Sequence, residues 1–137
     1  MPPLTWEQAV CSLRNDPSNN RLVRDCYYDD PLIGAAKRFA ESEEWMEVAR
    51  LSAPFRGRVL DLGAGRGIAS YAFASNGWEV TALEPDPSNV VGAGAIRSLE
   101  AESQLGIRVC QDWGESLPFD DNYFDLVYGR AVFHHAN

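Results

Sequence analysis

Residues 58–68 read RVLDLGAGRGI, a short apolar run that leads directly into three glycines at alternate positions. An apolar run of this length that ends in glycine is typical of a buried parallel strand. Residues 68–75 follow with a helical pattern, which closes at Asn76-Gly77. The order strand, glycine loop and helix predicts the first unit of an α/β sheet.

Three more strands and one more helix are predicted after this unit. Residues 78–83, 107–110 and 123–128 carry strand patterns, and residues 88–105 carry a helical pattern that Gly92 and Gly94 weaken. Strands that alternate with helices predict a parallel sheet with right-handed crossovers.

The first third of the chain is helical in pattern. Residues 5–13 have apolar side chains at helical spacing, with Thr5 placed to cap the helix and Gln8 three residues later. Residues 32–51 predict one or two further helices, the second of which can start at Ser42. Four aromatic side chains are assigned to the core or to helix-packing faces: Trp6, Phe39, Trp45 and Trp78.

Composition excludes several classes of protein. The chain has 137 residues, with 12 Lys+Arg against 20 Asp+Glu, so its formal net charge is −8. This balance argues against a nucleic-acid partner, which needs clustered basic residues. No apolar run has the length of a transmembrane helix, and the N-terminus has no signal-peptide pattern, so we expect no membrane partner. Three cysteines without C-x-x-C spacing predict reduced thiols in the cytoplasm rather than disulfides or a zinc site.

The glycine loop predicts a ligand that carries positive charge. Its spacing is G-x-G-x-G, whereas a dinucleotide loop needs a small residue where Ile68 stands, and no P-loop Gly-Lys-Ser/Thr follows. Asp61 comes just before the loop and would repel a pyrophosphate but attract an ammonium or a sulfonium. Glu84 follows the second strand, where an acid can accept both ribose hydroxyls. The simpler alternatives are a helix N-cap for Asp61 and a solvated turn residue for Glu84.

These stretches resemble class I S-adenosylmethionine-dependent methyltransferases. Residues 59–67 look like motif I of that family, and residues 84–86 are similar to the acidic motif that follows it. Residues 115–127 resemble the family's E-x-L-P-F-x-D-x-x-F-D-x-V stretch, and residues 127–135 resemble the small-molecule type of bacterial enzyme. The resemblance covers roughly residues 55–137.

The resemblance implies an architecture. It is a Rossmann-like doubly wound parallel sheet with strand order 3-2-1-4 and preceding N-terminal helices. Residues 1–53 would form a helical cap or lid, and residues 54–137 would form a truncated S-adenosylmethionine-binding domain. The family's sheet has seven strands in the order 3-2-1-4-5-7-6, and this sequence reaches Asn137 just past the fourth. We expect a fragment rather than a naturally short relative, and turnover by the isolated chain is doubtful.

The resemblance also implies which residues hold S-adenosylmethionine. Gly63 and Gly65 would lie against its methionine part, with Asp61 near its amino group and with Ala64 and Arg66 contributing loop backbone. Glu84 would accept the ribose hydroxyls.

The adenine end is less well defined. Pro85 would flank the adenine, and the family's acidic residue after the third strand falls on Trp113 here, a departure from the pattern. Either Asp112 takes that role, or Trp113 covers the ring by stacking and the Gly114 N–H reaches a ring nitrogen. Gly129 would hold the methionine amino group through its backbone.

The expected function is methyl transfer to a small-molecule acceptor, and the alternative is a non-catalytic module that binds S-adenosylmethionine or S-adenosylhomocysteine. The catalytic residue is unknown, with His134 as a candidate base, and no metal site is expected because His134 and His135 have no third ligand at usable spacing. The fourth strand would be an exposed edge, which predicts self-association.

Overall fold

The fold is described from a computed structural model, which covers residues 3–55, 57–113, 119–120 and 122–130. The helices and strands within these residues are α1 (Trp6–Asn15), a 3-10 turn (Pro17–Asn19), α2 (Asn20–Asp25), α3 (Leu32–Ala40), α4 (Glu43–Ser52), β1 (Arg58–Leu62), α5 (Ile68–Ser75), β2 (Glu79–Leu83), α6 (Ala93–Ser103), β3 (Arg108–Cys110) and β4 (Leu126–Gly129). None of the helices in this part of the chain is long and apolar enough to cross a membrane.

The strands form one parallel sheet with the order β3-β2-β1-β4. This confirms the Rossmann-like topology expected from the sequence. In the register, Leu62 of β1 lies beside Leu83 of β2 and Gly129 of β4, and Leu83 lies beside Cys110 of β3. The carboxyl ends of all four strands therefore meet at one edge of the sheet, where α/β proteins bind their ligands.

The N-terminal helices share the hydrophobic core of the sheet. Phe39 of α3 and Trp45 of α4 are buried in the same cluster as Val59 of β1 and Phe73 of α5. The Trp45 ring meets the Phe73 ring edge-on at 4.8 Å between centroids. The division at residue 54 into a cap and a second domain stays a prediction.

Local sequence signals place most element ends correctly. Thr5 and Gln8 form the reciprocal capping box that starts α1, and the Ser42 hydroxyl accepts the N–H of Trp45 at the start of α4. Residues 32–51 are accordingly two helices. The short helix α2 was not predicted, because the turn residues before it continue into one more helical turn.

Four elements begin later than predicted. Helix α6 begins at Ala93 rather than at Ser88, because the Ser88 hydroxyl accepts the N–H groups of Val90 and Val91 in a turn. Strand β4 begins at Leu126 rather than at 123, after a turn in which Tyr123 N–H donates to a carbonyl. Strands β2 and β3 each begin one residue later than predicted.

Trp6 departs from its assignment to the core. Its side chain is 52% exposed and meets Tyr28 edge-on at 5.9 Å, whereas Phe39, Trp45 and Trp78 are buried as predicted. The helix that carries Trp6 presents it to solvent because α1 lies at the outside of the fold and buries Val10 instead.

Gly67, at the N-cap of α5, lets the end of the glycine loop lie against α6. It adopts a φ of +84°, and a Cβ there would lie 3.1 Å from Ile96 of α6. Gly77 has a similar φ of +90° but no atom within 4 Å of a Cβ. A comparison of alanine substitutions at the two positions therefore separates the effect of backbone strain from the effect of overpacking.

We expect Gly77→Ala to lower the free energy of unfolding by about 1 kcal/mol through backbone strain alone. Gly67→Ala should lower the free energy of unfolding by about 2 kcal/mol more than Gly77→Ala does, because the new methyl group also displaces Ile96. Urea denaturation of both variants measures the difference. Equal losses at the two positions would show that helix contact at Gly67 contributes nothing.

One edge of β4 has no strand partner among the described residues, since β4 pairs with β1 on its other side. Val127 on this strand is 58% exposed. Self-association through this edge stays a prediction. Val127→Lys should oppose it, because a charge on an edge strand disfavours pairing with another chain.

In sedimentation velocity we expect the average mass of the unaltered chain to rise with concentration, and Val127→Lys to stay at the monomer mass. Leu22→Lys in α2 is the matched control, since Leu22 is 51% exposed and lies outside the sheet. A concentration-independent monomer mass for the unaltered chain, or equal effects of both substitutions, would contradict association through β4.

Candidate functional site

Two carboxylates lie at the carboxyl edge of the sheet, as the sequence predicts. Asp61 is the penultimate residue of β1, and Glu84 follows the last residue of β2. Asp61 lies beside Ala82 of β2 in the register, two residues before Glu84. Burial is the main cause that raises the pKa of Asp61, and the charge of Glu84 adds to the rise. The structure thus brings together the two acids on which the sequence interpretation depends.

Asp61 is almost completely buried, with 3% of its surface exposed. Burial is the main cause that raises the pKa of Asp61 to about 7, and hydrogen bonds from the hydroxyl and N–H of Ser70 oppose the rise. The Ser70 hydroxyl donates to Asp61 Oδ2 over 2.6 Å. Asp61 therefore contacts the first turn of α5, but Gly67 holds the N-cap position, so the simpler interpretation of Asp61 as the helix N-cap is wrong.

Glu84 is held by two backbone donors. The N–H of Gly65 donates to Oε1 and the N–H of Asp86 donates to Oε2, both over 2.8 Å. Glu84 is half-buried; burial raises its pKa, and the two hydrogen bonds oppose that rise. A freely solvated turn residue has neither the burial nor the fixed donors that Glu84 has.

The glycine loop leaves open space above its middle residue. Gly63 and Gly65 have φ angles of +65° and +58°, which favour glycine. A Cβ at Gly65 would meet no atom within 4 Å. Ala64 between them donates its N–H to the carbonyl of Leu83 over 3.0 Å, which fixes the loop against the end of β2.

Asp112 and Trp113 lie just after β3 at the same edge. Trp113 is 66% exposed, and the backbone N–H of Trp113 donates to Asp112 Oδ1 over 2.8 Å. Both groups remain available for an adenine, so neither of the two predicted roles is decided. Gly114 and His134 lie outside the described residues.

The end of β4 adds aromatic and charged side chains to this edge of the sheet. Tyr128 lies beside Asp61 in the register, and burial raises the pKa of Tyr128 to about 12, with Glu44 and Asp61 adding to the rise. Arg130 forms an ion pair of 2.7 Å with Glu44 of α4. Gly129 lies between these two residues at the end of the strand, and Pro85 follows Glu84 in a half-buried position.

The side chain of Arg66 is the largest feature of the loop that sequence reasoning missed. The sequence interpretation gave Arg66 a backbone role alone, yet its guanidinium is buried. Its acceptors include the carbonyls of Tyr27 and Val90, which are 39 and 24 positions away in the chain. No local pattern indicates such contacts, because backbone carbonyls carry no sequence signature.

The described residues hold no group of three or more His, Cys, Asp or Glu side chains arranged to bind a metal ion. The three cysteines are free thiols, with Cys26 exposed. The absence of a metal site stays a prediction for the whole chain.

Comparison with known proteins identifies the family. A methyltransferase-domain family model matches residues 60–137, which is more than half of the chain. An uncharacterized methyltransferase of Mycobacterium sp. (strain JLS) is 36% identical over 78 residues, covering 57% of this chain and 28% of that protein. The uncharacterized methyltransferase YcgJ of Bacillus subtilis (strain 168) is 31% identical over 100 residues, covering 72% of this chain and 39% of that protein.

Solved structures agree in fold. The crystal structure of YcgJ superposes with a TM-score of 0.52 at 30% identity, covering 58% of this chain and 33% of that one. The glycopeptide N-methyltransferase MtfA superposes with a TM-score of 0.51 at 31% identity, covering 63% and 40%.

The chain spans 28% to 39% of the length of the two curated relatives. Its sheet order, its two acids and its glycine loop stand where the sequence resemblance placed them. The family model and the relatives agree with that resemblance. The chain belongs to the class I S-adenosylmethionine-dependent methyltransferases.

Proposed function

We propose that this chain binds S-adenosylmethionine at the carboxyl edge of its sheet and presents it for methyl transfer to a small-molecule acceptor. The observation that carries the proposal is the position of the Glu84 carboxylate, which is held by the N–H groups of Gly65 and Asp86 beside a second acid, Asp61.

The charge of the crevice supports a cationic ligand. Asp61 and Glu84 both favour an ammonium or sulfonium group and oppose a phosphate. The N–H of Gly65, which a dinucleotide loop would offer to a pyrophosphate, is taken by Glu84. A nicotinamide cofactor is therefore disfavoured by two independent features.

The hydrogen-bonding capacity of Glu84 supports a ribose. Each carboxylate oxygen has two lone pairs, and each accepts one backbone N–H. One acceptor position per oxygen remains for the two vicinal hydroxyls of a ribose. The backbone donors hold the carboxylate in place before the ligand arrives, which reduces the cost of ordering it.

The other contacts follow from position. Gly63, Ala64 and Gly129 would contribute backbone around the methionine part, and Pro85 would border the adenine. Trp113 has an exposed ring on which an adenine can stack. Asp112 would instead accept the adenine amino group, and Gly114 would offer its N–H if Trp113 stacks.

S-adenosylmethionine supplies an activated methyl group together with its own leaving group, a neutral thioether. The residues of this chain would bind and orient it and keep water out. Tyr128 is a poor base, because its raised pKa keeps the hydroxyl protonated near neutral pH. His134 stays a candidate base for an acceptor hydroxyl or amine.

The net charge of −8 supports a small-molecule acceptor over a nucleic acid. A tritiated methyl group on the cofactor tests this choice, since label can be followed into small molecules, RNA and protein of one extract. Label in the small-molecule fraction is the expected result. Label in RNA would contradict the acceptor class, and binding without any transfer would favour the non-catalytic alternative. A cytoplasmic location stays part of the proposal.

Calorimetry tests cofactor binding. We expect S-adenosylmethionine to bind and NADH not to bind. Glu84→Gln should weaken the affinity by about 10- to 100-fold, because it removes charged hydrogen bonds and turns an amide donor toward a backbone donor.

The matched control is Glu79→Gln at the opposite end of the same strand, where the side chain is 68% exposed. It should leave the affinity unchanged. No heat with S-adenosylmethionine, or binding of NADH instead, would contradict the proposed cofactor.

The pKa of Asp61 predicts a pH dependence of binding. The carboxyl is protonated below about pH 7, and a cationic ligand needs it ionised. The affinity should therefore fall by up to about tenfold per pH unit as the pH drops below 7. The ligand's α-amino group stays charged in this range, since its pKa is about 8.

Asp61→Asn should bind more weakly and lose most of this dependence between pH 7 and 5.5. Calorimetry at several pH values measures both slopes. An equal dependence of affinity on pH in the two proteins would show that the protonation of Asp61 is not linked to ligand binding.

A further inference from the structure

The four residues 27–30, which we call the strap, lie between α2 and α3 and are held by a side chain of the glycine loop. Arg66 Nη1 donates to the carbonyls of Tyr27 and Asp29 over 2.8 and 3.0 Å, and Nη2 donates to Asp30 Oδ1 over 2.6 Å. Nε donates to the carbonyl of Val90 over 2.9 Å. One guanidinium therefore joins the strap, the glycine loop and the turn that follows Glu84.

The strap reaches the end of β4 through Tyr27. This residue has a φ of +62°, an uncommon conformation for a bulky side chain. Its ring meets Phe39 edge-on at 5.3 Å, and the Arg130 guanidinium lies 5.7 Å from the ring centroid. A displacement of the strap would therefore also move the ring that Arg130 contacts beside the carboxyl edge of the sheet.

The ion pair with Asp30 is not what fixes the Arg66 guanidinium. The Asp30 side chain is 63% exposed, so its ion pair with Arg66 is screened by water. The other three acceptors are backbone carbonyls, which would lose their donor if an apolar side chain replaced Arg66. What a fork of donors gives here, and an apolar side chain cannot, is a fixed distance between separate backbone segments.

Gly65 and Arg66 are adjacent, so the two sets of contacts are coupled through the loop backbone. The Gly65 N–H is committed to Glu84, and the Arg66 side chain is committed to the strap. The Glu84 carboxylate is thus linked to the strap through two adjacent residues of the loop.

We propose that Arg66 is a positioning residue that couples the strap to the glycine loop, so that a ligand at the loop and Glu84 also orders residues 27–30. The proposal rests on the proposed cofactor site for its ligand, but the coupling itself exists without ligand. The strap would then hold Tyr27 and Arg130 at the acceptor side of the crevice only when the glycine loop has its ligand-bound arrangement.

Hydrogen–deuterium exchange with and without S-adenosylhomocysteine tests the coupling. In the unaltered chain we expect slower exchange both in the glycine loop and in the strap when the ligand is bound. Arg66→Gln at saturating ligand should keep the protection of the loop and lose that of the strap. Equal strap protection in both proteins would overturn the proposal.

Arg14→Gln is the matched control. Arg14 of α1 also holds the strap, since its Nε donates to the carbonyl of Tyr28 over 2.7 Å, but it does not touch the loop. A residue that merely anchors the strap predicts equal effects of the two substitutions. Coupling predicts that Arg14→Gln retains the ligand-induced protection of the strap.

A ligand-free measurement separates this proposal from the cofactor proposal. Arg14→Gln loosens the strap through a residue that does not touch the loop. If Arg66 couples the two segments, Arg14→Gln should raise amide exchange about three- to tenfold in the glycine loop as well as in the strap. In an Arg66→Gln background it should raise exchange in the strap alone. Asp25→Asn, on an exposed acid at the end of α2, should change neither segment.

Loop exchange that Arg14→Gln leaves unchanged, or changes equally with and without Arg66, would overturn the coupling even if the cofactor binds. Absence of ligand-induced protection anywhere in the unaltered chain would instead overturn the cofactor proposal, while the ligand-free comparison of these variants would still decide the coupling.

Discussion

The arrangement of the crevice depends on one carboxylate, that of Glu84, which accepts the N–H of Gly65 on one side and the N–H of Asp86 on the other. These two bonds tie the glycine loop after β1 to the loop after β2. They also decide what the loop can bind, because a donor that faces a carboxylate cannot face a phosphate. The same G-rich turn that holds pyrophosphate in dinucleotide-binding proteins is thereby suited to a ligand with hydroxyls and positive charge.

Asp61 adds a second acidic group to the crevice, and its raised pKa makes its charge sensitive to a bound cation. Burial raises its pKa to about 7, the hydrogen bond from Ser70 opposes the rise, and the charge of Glu84 adds to it. A cation that arrives beside this carboxyl would offset the cost of burying its charge and would lower its pKa. The contact between Ser70 and Asp61 Oδ2 is compatible with a ligand at Oδ1.

Sequence patterns predicted the sheet, its order and the two acids, because each depends on signals within a few residues. A strand that ends in glycines and an acid at the end of the next strand are local features, and parallel topology then brings them together. Strand and helix starts were less accurate where a side chain competes with the backbone, as Ser88 does before α6. The contacts of the Arg66 side chain could not be predicted from the sequence, since its acceptors are carbonyls far away in the chain.

The central claim is that Asp61 and Glu84 form one acidic crevice for a cationic nucleoside. Carbon-detected NMR of the side-chain carboxyl groups, followed through a pH titration with and without S-adenosylmethionine, tests it most directly. The account predicts that both carboxyl signals move when the ligand binds and that the apparent pKa of Asp61 falls well below 7. A bound ligand that leaves both signals and the titration of Asp61 unchanged would contradict it.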